Sequence, residues 1–210
     1  MTHITIVRHG TTEWMEHGLL HGRLDSRLSP HGLQEAHCVA AQPRGQHFHA
    51  FYSSPAGRAI ETANIIASEV GLQPLPLEGL REIDFGLMEG RRMSPPPGGG
   101  FPAWLRLRWT LLAPVFRLTS ESRQAVGRRV VEALTWIARQ HPDGHVLIVT
   151  HSGTHSTLIR LIAPEVAAHS PRMMPFAPCA ITEIEAQPDG TLRLLHLNQT
   201  EHLPAKAPRL

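Results

Sequence analysis

The sequence predicts an α/β fold, a three-layer α/β/α sandwich on a mostly parallel mixed sheet. Three features lead there. Strand-like and helix-like segments alternate along most of the chain, the pattern of crossover connections between parallel strands. Residues 145–150 carry the unbroken apolar run Val146-Leu147-Ile148-Val149, as expected of a strand covered on both faces at the centre of such a sheet. Near the end, residues 180–186 and 191–197 flank Pro188-Asp189-Gly190, a hairpin signal that adds antiparallel strands.

Taken in order, residues 3–8 are a short strand rich in β-branched side chains that stops at Gly10. Ser29-Pro30 supplies an N-cap and a first-turn proline for a helix to about residue 42, closed by Pro43. Residues 50–53 are a second strand. Ser54-Pro55 repeats the start signal, and Ala59, Ala63, Ile66, Ala67 and Val70 keep helical spacing up to Gly71. Pro74 and Pro76 limit residues 73–77 to an edge or short strand. Residues 121–140 place Val126, Val130, Leu134 and Ile137 on one face and form the longest helix. A helix over about 153–162 follows the central strand, and Pro164 stops it.

The chain reads as one domain over residues 1–210, interrupted by a lid insertion at about 91–119. There the run from Pro95 to Gly100 leads into Phe101, Trp104 and Trp109, interleaved with Arg106 and Arg108. Its glycines read as a flexible loop, because no strand-to-helix frame surrounds them to make a phosphate cradle. Its tryptophans read as lid packing, with an apolar wall for a bulky substrate or a membrane or partner surface as alternatives.

Composition narrows the chemistry. With 210 residues, 41% hydrophobic and 18% charged, the chain is neither disordered nor collagen-like. Lys206 is the sole lysine among 20 basic residues, which argues against a Walker-type phosphate loop and against Schiff-base chemistry. The formal charge of +2 is spread along the chain, so no nucleic-acid partner is expected. No window offers the ~18 apolar residues of a membrane span, no leader pattern opens the sequence, and Cys38 and Cys179 form no C-x-x-C pair. A cytoplasmic protein is expected. Fifteen histidines raise the question of a metal, yet no Cys or carboxylate is spaced to complete a closed site. No metal and no cofactor are expected.

Ligands of open α/β sheets bind beyond the carboxyl ends of the strands. Three strand exits are informative: Arg8-His9-Gly10-Thr11-Thr12, then Ser53-Ser54-Pro55 with Arg58 on the following helix, then Thr150-His151-Ser152-Gly153. Two His and two Arg are thereby offered to one edge. Arg forks and a helix N-terminus suit phosphoryl oxygens, and a neutral imidazole can attack phosphorus. A proton donor for the leaving alcohol is then required. Glu82 is the best-placed candidate if it is partly buried, with Asp84 and Glu89 as its neighbours in competition.

Together these residues resemble the histidine phosphatase superfamily, also called phosphoglycerate-mutase-like. Arg8-His9-Gly10 resembles its R-H-G signature, and the stretch from Ser53 through Arg58 to Ala63 is similar to its S-S-P-x-x-R-A-x-x-T-A block. The stretch from Leu80-Arg81-Glu82 to Glu89-Gly90 resembles the L-x-E-x-x-x-G-x-x-E-G block, and Val149-Thr150-His151-Ser152-Gly153 the second-histidine block. Weaker echoes lie in Gly22-Arg23-Leu24-Asp25 with Leu28-Ser29-Pro30-His31-Gly32, in Ser120-Glu121-Ser122 and in residues 198–203. The resemblance implies a phosphoglycerate-mutase-like fold and assigns His9 as phospho-acceptor. It makes Arg8, Arg58 and His151 holders of the phosphoryl oxygens, and Glu82 the general acid and then base. It puts Thr12 and Arg23 near a small phosphorylated substrate, and implies no metal.

One position departs from the family. Its first block usually has Asn after the Trp, whereas Trp14 is followed by Met15, which cannot donate to phosphate. A lost donor can cost on the order of 3 kcal/mol of transition-state stabilisation, unless His17 or His21 substitutes. The expected function is a metal-independent phosphomonoester hydrolase working through a phosphohistidine. A phosphoglycerate-type mutase and a non-catalytic phosphate-binding module are the alternatives, and a homodimer is compatible with the chain. His9 beside two arginines is expected to titrate at depressed pH.

Overall fold

The structure, a computed structural model, describes residues 1–42, 46–92, 119–168, 174 and 176–204. A six-stranded sheet runs through it, formed by β1 (Thr2–Arg8), β2 (Ala50–Ser53), β3 (Leu75–Pro76), β4 (His145–Thr150), β5 (Ile181–Ala186) and β6 (Leu192–Gln199) in the spatial order β3-β2-β4-β1-β5-β6. The first four in that order are parallel; β5 and β6 close the edge as the antiparallel hairpin that Pro188-Asp189-Gly190 signals. The helices are α1 (Glu13–Glu16), α2 (Pro30–Ala40), α3 (Gly57–Val70), α4 (Arg123–Gln140), α5 (Ser152–Ile162) and α6 (Pro164–Ala168).

The period of two along each strand sorts the core into two layers. Val7, Phe51, Leu147 and Val149 face α2 and α3, packing on Ala36, Val39, Ala59, Ala63 and Ile66. Ile4, Ile6, Val146 and Ile148 face the other way, onto Val130, Leu134 and Ile137 of α4 and Leu158 of α5. β4 is buried along nearly its whole length, as a central strand must be. Register then builds the site. Arg8 pairs with Thr150 and Ser53 with Val149, so all three strand exits end at one level.

Local differences from the sequence reading have simple causes. Helix α2 begins at Pro30 behind the Ser29 cap but ends at Ala40, two residues short of expectation. Helix α3 starts later than Ser54-Pro55 suggests, with Ala56 as an N-cap that makes no side-chain bond; Ser54 is used elsewhere. Pro164 does stop α5, and its fixed φ also opens α6. Most of the expected lid, 93–118, lies outside the described residues.

Candidate active site

His9 leaves β1 only 3% exposed. Its Nδ1 lies 2.8 Å from the Gly10 carbonyl oxygen, an atom that can only accept, so Nδ1 carries the proton and Nε2 the free lone pair. Burial first, then Arg58 and Arg8, hold its pKa well below the usual imidazole range. The depression expected from the two arginines is present, with desolvation as the larger cause. His151 leaves β4 fully buried, its ring centroid 5.1 Å from that of His9. Its Nε2 is 2.7 Å from Ser54 Oγ, and Ser54 Oγ already accepts from Ala56 N at 3.3 Å. The Ser54 hydroxyl can give its proton to Nε2, which leaves Nδ1 as the N–H donor, or accept from Nε2, which leaves Nδ1 as an acceptor. Burial and then Arg58 keep His151 neutral as well.

Arg58 is 1% exposed, and its terminal nitrogens are held from below. Nη1 donates to Asp25 Oδ1 at 2.9 Å and to Leu24 O at 3.0 Å, and Nη2 donates to Gly22 O at 2.9 Å. Arg8 is tied at Nη1 to the Phe176 carbonyl, and its Nη2 lies 3.5 Å from Met15 Sδ. Three buried nitrogens beside His9 then have no protein partner: Arg8 Nε, Arg58 Nε and His151 Nδ1. An unmet buried donor costs about 1–3 kcal/mol, so the two arginine Nε–H groups favour an anion that accepts from both.

Met15 thus meets Arg8 through a thioether, a weak acceptor and no donor. Of the two substitutes weighed for it, His17 is exposed. His21 is buried, its ring 6.5 Å from His9, with Nε2 3.0 Å from both Thr12 Oγ1 and Ser26 Oγ. Burial, then Arg58, lowers His21 to about 4. Thr12 is buried and caps α1 by accepting from Met15 N at 3.2 Å. Arg23 is exposed, its Nε 3.1 Å from Asp84 Oδ2. It lines a cavity of about 150 Å³ together with Asp25, Pro55, Arg81 and Glu82.

Glu82 is half-buried at the start of α5. Oε1 accepts from Thr154 N and Ile83 N, both at 2.9 Å, and Oε2 from Gly153 N at 3.0 Å. A Cβ at position 153 would stand 2.5 Å from Oε1, so glycine is required for this approach. The competing carboxylates have other work: Asp84 pairs with Arg23, while Glu89 accepts from the backbone N–H groups of Arg23, Leu24 and Phe85 at 2.9–3.0 Å. Neither of them lines the cavity.

Several contributors escape the sequence reading. Arg129 of α4 donates to Gly79 O, Arg81 O and Glu82 O at 2.7–3.1 Å and is paired with Glu121 at 2.8 Å, clamping the backbone that carries Glu82. Thr62 Oγ1 accepts from Gly10 N at 3.1 Å. Ser54, Thr62, Asp25 and Glu121 sit inside the blocks or echoes quoted above; Arg129 and Glu35 have no such signal. Among the described residues, no group of three or more His, Cys, Asp or Glu is placed to hold a metal ion. No helix of the described residues is long and apolar enough to cross a membrane.

The profile of the histidine phosphatase superfamily, branch 1, matches residues 4–200. A putative phosphoserine phosphatase of Hydrogenobacter thermophilus is 33% identical over 165 residues, 77% of this chain and 79% of that protein. A probable phosphoglycerate mutase of Yersinia pestis is 28% identical over 190 residues, 89% of this chain and 86% of that one. The solved structure of Bacillus stearothermophilus YhfR superposes with a TM-score of 0.81 at 28% identity, over 97% of this chain and 100% of that one.

Proposed function

Given that this chain belongs to the histidine phosphatase superfamily, we propose that residues 1–210 form a single-domain, cytoplasmic, metal-independent hydrolase of small phosphomonoesters. The observation that carries the reading is the pairing of a free His9 Nε2 lone pair with the unmet buried Nε donors of Arg8 and Arg58 and the partnerless Nδ1 of His151. In the first step His9 Nε2 bonds to phosphorus, the P–O bond to the alcohol breaks, and the departing oxygen takes a proton from Glu82. In the second, water adds to phosphorus, Glu82 takes its proton, and the P–N bond breaks to release inorganic phosphate. Positive donors positioned for the oxygens stabilise charge in both steps. Glu82 faces the cavity where the alcohol would lie. Serving the leaving oxygen requires its side chain to turn away from the amides of Gly153 and Thr154.

The substrate we favour is an anionic metabolite the size of phosphoserine. The name of the Hydrogenobacter relative supports this, and so does Arg23 on the cavity wall, with Thr12 and His21 nearer the phosphoryl group. The Yersinia relative keeps a mutase in view as the second reading. Phosphate release from a panel of phosphomonoesters in EDTA, with 3-phosphoglycerate included and His9→Ala alongside, tests the proposal. Release that survives EDTA and vanishes in the variant is expected. Isomerisation without release would select the mutase, and tight phosphate binding without turnover the binding module.

A further inference from the structure

Behind the nucleophile lies a buried carboxylate that the mechanism above does not use. Glu35, on α2, is 5% exposed. Its Oε2 accepts from Thr11 N at 2.8 Å, and its Oε1 is 3.2 Å from His31 Nε2, one helical turn earlier. The Thr11 N–H belongs to the same peptide unit as the Gly10 carbonyl, and that carbonyl accepts from His9 Nδ1 at 2.8 Å. The chain has no cis peptide among the described residues, so the two groups point in opposite directions across one rigid plane. Carboxylate, amide and imidazole therefore stand in line: Glu35, then the peptide joining Gly10 to Thr11, then His9.

The surroundings pin this peptide. Gly10 N donates to Thr62 Oγ1 at 3.1 Å, and Ser29 N donates to Thr11 O at 2.9 Å. Packing leaves no slack, because a Cβ at position 10 would lie 2.7 Å from Gly32 O and one at position 32 would lie 1.8 Å from Thr11 O. The peptide cannot rotate away from either partner without moving α2.

We propose that Glu35 is a positioning residue for His9, acting through this single peptide. Its charge polarises the peptide, makes the Gly10 oxygen a stronger acceptor for the Nδ1 proton, and so holds the tautomer and raises the electron density of Nε2. The inference rests on the reading of His9 as the nucleophile. A charge effect on Arg8 is the competing role, since burial lowers the pKa of that guanidinium and the charges of Glu82 and then Glu35 oppose the shift.

The test uses the full chain, with ¹⁵N-labelled histidine, in E35Q and E35D. E35Q keeps an acceptor but removes the charge; E35D keeps the charge near Arg8 and shortens the reach by one methylene. The His9 ring signals are identified by their loss in His9→Gln. Both variants are expected to move the Nδ1–H resonance of His9 to lower frequency in the absence of substrate. In E35Q, kcat should fall on the order of tenfold, the scale at which a remote partner of a reactive histidine counts, while KM stays level or drops. A wild-type His9 signal in whichever variant folds would overturn the proposal. So would a fall in kcat with that signal unmoved, which would assign Glu35 to Arg8. Because the resonance is read without substrate, an inactive wild type would sink the phosphatase reading and leave this relay still decided.

Discussion

Histidines gather at both ends of the sheet, and the two groups behave differently. At the amino ends of the strands, His3 and His145 stack at 4.3 Å, with Phe48 against His145 at the same distance. His145 Nε2 meets Thr5 Oγ1 at 2.8 Å, His49 Nδ1 accepts from His145 N at 3.0 Å, and His141 Nε2 meets Tyr52 OH at 2.9 Å. Burial, then His3 and His49, lowers His145 to about 4. At the carboxyl ends, burial likewise keeps His9 and His151 neutral, but the next cause is Arg58 and not a neighbouring ring. A burial-depressed pKa is therefore common to His145 at one end and to His9 and His151 at the other. What distinguishes the carboxyl end is a pair of arginines, Arg58 buried and Arg8 half-buried, whose buried Nε–H groups have no protein acceptor, whereas the partnerless nitrogen at the amino end, His3 Nε2, belongs to an imidazole. Histidine density alone does not mark a reactive site; unmet donors beside a free lone pair do.

Breaking the contrast at its strongest point, His9→Ala should lower kcat/KM by about 10⁴-fold or more, as loss of a covalent nucleophile does. Glu82→Gln should cost about 10³-fold, within the range for a general acid, with the loss falling on kcat. A variant within tenfold of wild type would remove Glu82 from that role. Met15→Asn sharpens the comparison in the other direction. It places a donor next to Arg8 and should raise kcat/KM by up to about tenfold, a part of what one such donor contributes. At the amino end, His145→Gln should leave kcat/KM within about twofold while lowering Tm, because it removes a packed ring and not a reacting group.

The smallest effect concerns pH. His145 and His21, each at about 4, and His155, at about 3, titrate below the ordinary value of 6.5 when folded. Below 6.5 the unfolded chain therefore binds more protons than the folded one. The stability these groups contribute is fully present above about pH 6.5 and is lost as pH falls from there toward 4. Thermal melts between pH 7.5 and 4.5 should show Tm declining below pH 6.5, with a shallower decline in His145→Gln. A level Tm across that range would contradict the neutral, buried state of these rings.

How much was legible in the sequence follows from the range over which each signal acts. β4 was readable to the residue, because four consecutive apolar side chains can only be covered on both faces. The blocks around His9, Arg58, Glu82 and His151 were readable as residue types at fixed spacing. The partners that orient them were not. Glu35 reaches Thr11 across 24 residues, Arg129 reaches Glu82 across 47, and Ser54 reaches His151 across 97. The register of β2 and β4 brings Ser54 to His151, and the packing of α2 and α4 on the sheet brings the other two pairs together. Helix α1, four residues long, is too short to leave a periodic pattern, and its cap Thr12 was noticed for its place in the first block instead.

The account stands or falls on a covalent phosphoryl group at His9. The direct measurement is rapid quench of the enzyme with labelled phosphoserine in EDTA, followed by peptide mapping under alkaline conditions that preserve phosphohistidine. The account predicts label on the peptide bearing His9, its chase into inorganic phosphate on further incubation, and its absence in His9→Gln. Phosphate released at the full rate with no label at His9, or label on another residue, would contradict it.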